Sequence, residues 1–220
     1  MFHAQILTLF PEFFDSPLSC SIPKRAITAD LVTVDTIQIR DFATDKHNRV
    51  DDSPYGGGPG MLMKAEPVVA SIREARRRHP DTHVVMLTPS GSRFTQTKAL
   101  EFTEKPGITL LCGRYEGFDE RICDYVDEEI SLGDYVLSGG EPAAICLLDA
   151  VIRLLPDVLG SPESAVLDSF TKEGILDWPH YTRPEEFEGK RVPDVLLSGN
   201  HANIEKWRHE QAELRSNKRK

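Results

Sequence analysis

At 220 residues, 40% hydrophobic and 28% charged, with a mean hydropathy of −0.34, the chain can bury one large domain plus a small appendage, and it lies far from the fibrous and disordered classes. Its longest apolar run, residues 143–155, is broken by Asp149 and Arg153 and falls short of the roughly 18 to 20 residues of a membrane span. The net charge of −9 excludes a broad basic face for nucleic acid, because Lys and Arg neutralising phosphates dominate such binding.

Taken in chain order, β-branched and aliphatic runs predict strands at residues 4–9, 32–39, 84–87 and 108–112, and a weaker one at 129–132. Helices are expected at 65–78, 95–104 and 142–155, the last apolar almost all round and so expected to be buried. Alternating strands and helices imply an α/β domain with a largely parallel sheet. After Leu155 the residues Pro156, Gly160, Ser161 and Pro162 read as a linker, and a helix over 203–214 marks a small C-terminal segment. The start of the chain lacks the basic stretch and cleavage site of a secretory signal, so a cytoplasmic location and no membrane partner are expected. Cys20, Cys112, Cys123 and Cys146 form no C-x-x-C pair and are expected as small core residues. Two local basic patches stand out, Arg73, Arg76, Arg77 and Arg78, and Lys206, Arg208, Arg215, Lys218, Arg219 and Lys220. Each reads equally well as a solvated helix face or as an RNA contact.

The glycines carry more information. Gly56-Gly57-Gly58-Pro59-Gly60 sits in a polar loop that starts near Asp41, includes Asp45, Lys46, His47, Asp51 and Asp52, and reads as some 20 residues without regular structure, a length that points to function or disorder. It lacks the G-x-x-x-x-G-K-[ST] pattern of a nucleoside triphosphate loop. Gly113 and Gly117, Gly133, and Gly139-Gly140 follow late strands, where ligands of open α/β sheets bind; three unrelated turns would give the same glycines. The first strand runs into Phe10-Pro11-Glu12, which leaves no dinucleotide fingerprint there.

Four longer stretches carry a resemblance: Asp51-Asp52-Ser53-Pro54-Tyr55-Gly56-Gly57-Gly58-Pro59-Gly60-Met61, Leu111-Cys112-Gly113-Arg114-Tyr115-Glu116-Gly117-Phe118-Asp119-Glu120-Arg121, Gly133-Asp134-Tyr135-Val136-Leu137-Ser138-Gly139-Gly140-Glu141 and Pro179-His180-Tyr181-Thr182-Arg183-Pro184. In this order they resemble the bacterial tRNA (guanine-N1)-methyltransferases, the TrmD family of the SPOUT class. That resemblance implies a deep trefoil knot in the α/β domain, a homodimer with its active site at the subunit interface, and a small, mostly helical C-terminal domain that binds tRNA. The domains would be 1–158, a linker at 159–171 and a shortened 172–220. The implied reaction transfers a methyl group from S-adenosyl-L-methionine to N1 of guanosine 37, 3′ of the anticodon in tRNA, which supports reading-frame maintenance.

By similarity the donor would lie against Leu87, Pro89, Gly113, Tyr115, Glu116, Leu132, Gly133, Tyr135, Val136, Leu137, Gly139 and Gly140, and RNA against Gly58, Gly60, His180 and Arg183. Guanine N1 carries a proton, so methylation there needs a general base within hydrogen-bond reach, and a cation near O6 would stabilise the charge that shifts there. Asp168 matches the family's base and Arg153 its arginine. Read without the resemblance, Asp168 is a turn cap and Arg153 the i,i+4 partner of Asp149. Family members depend on Mg2+, but no carboxylate cluster announces a metal site by spacing. One local departure is Pro142, which follows Glu141 where the family has an apolar residue first. A knotted enzyme acting on a ribose 2′-hydroxyl, and a non-catalytic RNA-binding module on the same fold, are the competing readings.

Overall fold

Alternation along the strands builds the first unit. In the computed structural model the elements run β1 (Phe2–Thr8), α1 (Asp15–Leu18), α2 (Ser21–Thr28), β2 (Val32–Gln38), β3 (Asp51–Asp52), β4 (Leu62–Met63), α3 (Ala65–Arg78), β5 (His83–Arg93), α4 (Gln96–Thr103), β6 (Gly107–Cys112), β7 (Glu128–Ser131) and α5 (Glu141–Ile152). Five strands pair in the order β2-β1-β6-β5-β7, and every pairing in that sheet is parallel. Such a sheet is buried on both faces by its crossover helices. Ala4, Ile6, Val85, Leu87, Ile108, Leu110 and Cys112 pack against α2, α4 and α5. Their neighbours in sequence, Leu7, Val84, Met86 and Leu111, point the other way and pack against α3.

On α3 the spacing of Val68, Val69, Ile72 and Ala75 puts one apolar stripe on the sheet. Fully burying a side chain such as Ile72 contributes roughly 1.5 to 3 kcal/mol. Beside that stripe, Gln5 Nε2 donates to the Ala75 carbonyl at 3.1 Å and to Thr109 Oγ1 at 3.1 Å, so this buried polar group ties the end of α3 to the sheet rather than interrupting the core.

Three expectations need correction. Helix α5 is not buried all round: Ala143, Ala144, Leu147, Leu148, Val151 and Ile152 face the core, while Cys146 and Asp149 are exposed, as a helix lying on one face of a sheet requires. For the same reason the cysteines are not uniformly interior, since Cys112 is buried on β6, Cys123 is half-buried, and Cys20 and Cys146 are exposed. The glycine loop is not without regular structure. β3 and β4 pair within it, Asp51 against Met63 and Asp52 against Leu62, and Asp45 accepts the backbone N–H groups of His47 and Arg49 at 2.8 and 2.9 Å, the local bonding that short acidic side chains favour in turns. These N–H donors also hold the Asp45 carboxyl below its ordinary range.

The chain divides into two compact units, Met1–Gly160 and Ser161–Lys220, and the structure describes residues 1–160, 168–172 and 174–219. Residues 161–167 of the expected linker, Glu173, and Lys220 of the second basic patch lie outside the described residues. The second unit contains a short hairpin, β8 (Glu186–Phe187) and β9 (Lys190–Arg191), then α6 (Asp194–Leu197) and α7 (His201–Arg219). Helix α7 runs past the expected 203–214. The Asn200 side chain caps Asn203 N–H at 3.2 Å, Arg208 pairs with Glu205 at 2.6 Å, and Ser216 is buried while its Oγ accepts the Leu176 N–H at 2.8 Å. Among the described residues no helix is long and apolar enough to cross a membrane.

Candidate active site

The carboxyl ends of β5, β6 and β7 open into a cavity of about 450 Å³, within the size range of small-molecule sites. Three segments form its wall. Leu87 and Pro89 come from β5, Gly113, Tyr115 and Glu116 from the turn after β6, and Leu132, Gly133, Tyr135, Val136, Leu137, Gly139 and Gly140 from the segment between β7 and α5. All twelve residues that the resemblance assigns to the methyl donor therefore meet on one surface. Ser90, Arg114, Glu120, Cys123 and Glu129 line it too, and none of them was among the expected donor residues.

The last two wall segments touch backbone to backbone. Gly140 N–H donates to the Gly113 carbonyl at 2.8 Å, and a Cβ at Gly140 would stand 2.7 Å from Cys112 Cα and 2.8 Å from Gly113 N, so only glycine permits this approach. Helix α5 begins at Glu141 with Gly140 as its N-cap. Pro142 falls in the first turn, where a missing N–H costs little, so the departure from the family pattern leaves the wall in place. Tyr115 adopts φ 62°, the left-handed region that a bulky residue rarely occupies.

S-adenosyl-L-methionine fits this wall. Leu87, Leu132, Leu137 and the glycine backbone offer an apolar slot with peptide groups for a heteroaromatic ring, while Glu116, Glu120 and Glu129 offer negative charge to a sulfonium and an amino group. Cys123 lines the cavity, and Cys112 closes the adjoining strand β6. Burial, seconded by the Glu141 carboxylate, pushes the Cys112 thiol well up, and burial followed by Glu129 and Glu120 raises that of Cys123.

The glycine loop is stitched to this wall through β4. Glu116 N–H donates to the Met61 carbonyl at 3.0 Å, Met63 N–H to the Gly117 carbonyl at 2.8 Å and Asp119 N–H to the Met63 carbonyl at 3.0 Å. Gly60 consequently lies against the Glu116 side chain, while Gly58 stands in open space.

The remaining expected residues belong to other elements. Arg153 is the C-cap of α5 and half-buried, its N–H donating to the Asp149 carbonyl at 3.2 Å. Asp168 belongs to the second unit, where its Oδ1 accepts the N–H of the next residue, Ser169, at 3.0 Å. In the same unit His180 Nε2 meets Asp177 Oδ2 at 2.6 Å and packs its ring against Trp178; Arg183 precedes Pro184.

Much of the basic patches is spent internally. Arg77 and Arg78 pair with Glu74 at 2.7 and 2.8 Å and pull its carboxyl down to about 2. Arg76 pairs with Asp127 at 3.1 Å, and Arg73 lies over Tyr125. Arg208 and Arg219 cover Trp178 and Phe170. Among the described residues no group of three or more His, Cys, Asp or Glu side chains is placed to hold a metal ion.

The family model described as tRNA (Guanine-1)-methyltransferase TrmD matches residues 2–220. The tRNA (guanine-N(1)-)-methyltransferase of Ralstonia nicotianae is 55% identical over 213 residues, covering 95% of this chain and 80% of that protein. Those of Citrifermentans bemidjiense, 53% identical with 94% and 83% covered, and Staphylococcus haemolyticus, 52% identical with 96% and 85% covered, agree. The chain belongs to the tRNA (guanine-1)-methyltransferase family. The family match spans both units, so Asp168, His180 and Arg183 fall within it along with the cavity wall.

Proposed function

We propose that the chain transfers a methyl group from S-adenosyl-L-methionine to N1 of guanosine 37, immediately 3′ of the anticodon in tRNA, and so supports reading-frame maintenance in the cytoplasm. One observation carries the proposal: the residues that family resemblance assigns to the donor, scattered from Leu87 to Gly140, line a single cavity in a chain that matches the family throughout.

When bound, the donor supplies an electrophilic methyl group. The chain's own residues do the rest. The apolar wall at Leu87, Leu132 and Leu137 excludes water from the reacting centre, and the carboxylates of the wall favour the cationic donor over its neutral product. Asp168 accepts the N1 proton of guanine, and Arg153 stabilises the charge that then shifts to O6. Gly58, Gly60, His180 and Arg183 contact the RNA, and the packing of Gly60 against Glu116 of the donor wall supports this for the glycine loop. Residues 159–171 serve as the linker and 172–220 as the tRNA-binding domain. No residue is assigned to Mg2+.

The wall segments within β5 and after β6 and β7 form the trefoil knot in this reading; the parallel order β6-β5-β7 and the backbone bond from Gly140 to Gly113 support it. The enzyme acts as a homodimer, because Arg153 sits at the end of α5 remote from the wall of its own chain. The test is methyl transfer from labelled donor to tRNA, followed by identification of the modified nucleoside.

A further inference from the structure

Glu141 is a carboxylate with no exposed surface, and nothing in the proposed chemistry uses it. Its Oε1 accepts from Thr8 Oγ1 at 2.7 Å, and its Oε2 stands 2.9 Å from Arg114 Nη2. Thr8 Oγ1 in turn accepts the Phe10 N–H at 3.0 Å, and the Arg114 guanidinium lies 4.4 Å from the Phe10 ring centroid. Thr8, Glu141, Arg114 and Phe10 therefore close a ring of contacts. It joins the end of β1, the turn after β6 and the first turn of α5.

Arg114 also reaches the last wall segment. Its Nη1 donates to the Ser138 carbonyl at 3.2 Å, and its guanidinium fills the space that a side chain at Gly139 would need. Arg114 Nε and Glu141 Oε2 are buried without an aligned hydrogen bond, so the pair is held chiefly by charge. A buried ion pair of this kind seldom adds net stability over an apolar pair of the same shape. Its worth lies in fixing geometry.

We propose that Arg114 and Glu141 are positioning residues, which clamp the turn at 113–117 against the segment at 138–140 and preassemble the wall that receives the methyl donor. Neither touches the reacting atoms. The proposal rests on the assignment of this cavity to the donor, and it predicts that breaking the clamp weakens donor binding without altering RNA binding.

The test measures donor affinity by calorimetry, tRNA affinity, melting temperature and steady-state kinetics for Thr8→Val, Glu141→Gln and the double variant Arg114→Met/Glu141→Gln. Each should bind donor about tenfold more weakly or worse, the loss expected when one charge-assisted contact goes. KM for donor should rise, kcat at saturating donor should hold, and tRNA affinity should not change. In the double variant no buried charge is stranded, so its melting temperature should exceed that of Glu141→Gln while donor binding stays weak. Donor affinity that returns with the melting temperature, or that is unchanged in Thr8→Val and the double variant, would overturn the clamp. Gly140→Val serves as the reference. If it binds donor normally, the cavity assignment itself is wrong and the clamp falls with it; if it loses donor, the other variants judge the clamp alone.

Discussion

Gly140 and Arg153 cap opposite ends of helix α5. Thirteen residues at 1.5 Å each separate them by about 20 Å along the axis, so the arginine assigned to catalysis stands far from the donor wall of its own chain. The proposed two-fold dimer would answer this, with the wall of each site from one subunit and the arginine from the other.

Mixing two inactive variants, Asp168→Ala and Gly140→Phe, under conditions of subunit exchange should then restore methyl transfer. One site of each heterodimer collects both lesions and the other is intact, so up to about half of the heterodimer sites should be active. Heterodimers demonstrated by mass but lacking activity would place each site within one chain.

Replacing Asp168 by Asn should leave donor affinity unchanged and lower single-turnover methyl transfer by roughly 10² to 10⁴, the usual weight of a general base. A rate near that of the parent chain would leave Asp168 with only a local structural role, such as its bond to Ser169 N–H.

Gly140→Ala should lower the melting temperature and weaken donor binding together, because the added carbon meets Cys112 Cα and Gly113 N, backbone atoms that cannot swing aside. Overpacking of this kind costs about 1 to 3 kcal/mol. Chemical denaturation and calorimetry measure the two effects; a neutral result in both would mean that the two wall segments part easily.

The sequence made the framework legible where pattern and period agree. β-branched runs marked the five strands, and the apolar stripe of α3 marked its whole length, Ala65–Arg78. Other features were hidden for physical reasons. The pair β3 and β4 is two residues a side, too short to show alternation. Helix α2, Ser21–Thr28, has Pro23 in its first turn and is only 8 residues long, too short for Ile22, Ala26 and Ile27 to establish a period. Strand β5 runs on to Arg93 through Pro89, Ser90 and Gly91, which read as its end; its register against β7 shifts between Leu87 and Ser92, an irregularity that re-aims the chain into the cavity wall. The glycine loops after the late strands and the longer motifs pointed to the candidate donor wall, but the pairing of Arg114 with Glu141, 27 positions apart, was hidden because tertiary packing alone joins them.

Stability should fall as the solution is acidified below pH 6.5, in part through His3. Its ring stacks on His79 at 4.2 Å and bonds Thr33. Burial first, then His79 and the amino terminus, lower its affinity for a proton below the ordinary value of 6.5, against a smaller opposing pull from Asp35. The unfolded chain thus binds the proton more readily, so this contribution is intact above pH 6.5 and is lost as pH falls toward the lowered value of the folded state. Urea midpoints at pH 7 and pH 5 should drop less for His3→Gln than for the parent chain; equal drops would remove His3 from the account.

The most direct test of the central claim is to incubate the full chain with labelled S-adenosyl-L-methionine and a tRNA transcript bearing guanosine at position 37, and to map the label by nuclease digestion and mass spectrometry. The account predicts N1-methylguanosine at position 37 and no transfer to a transcript with adenosine there. Label on a ribose 2′-oxygen, on another base, or on the adenosine-bearing transcript would contradict it.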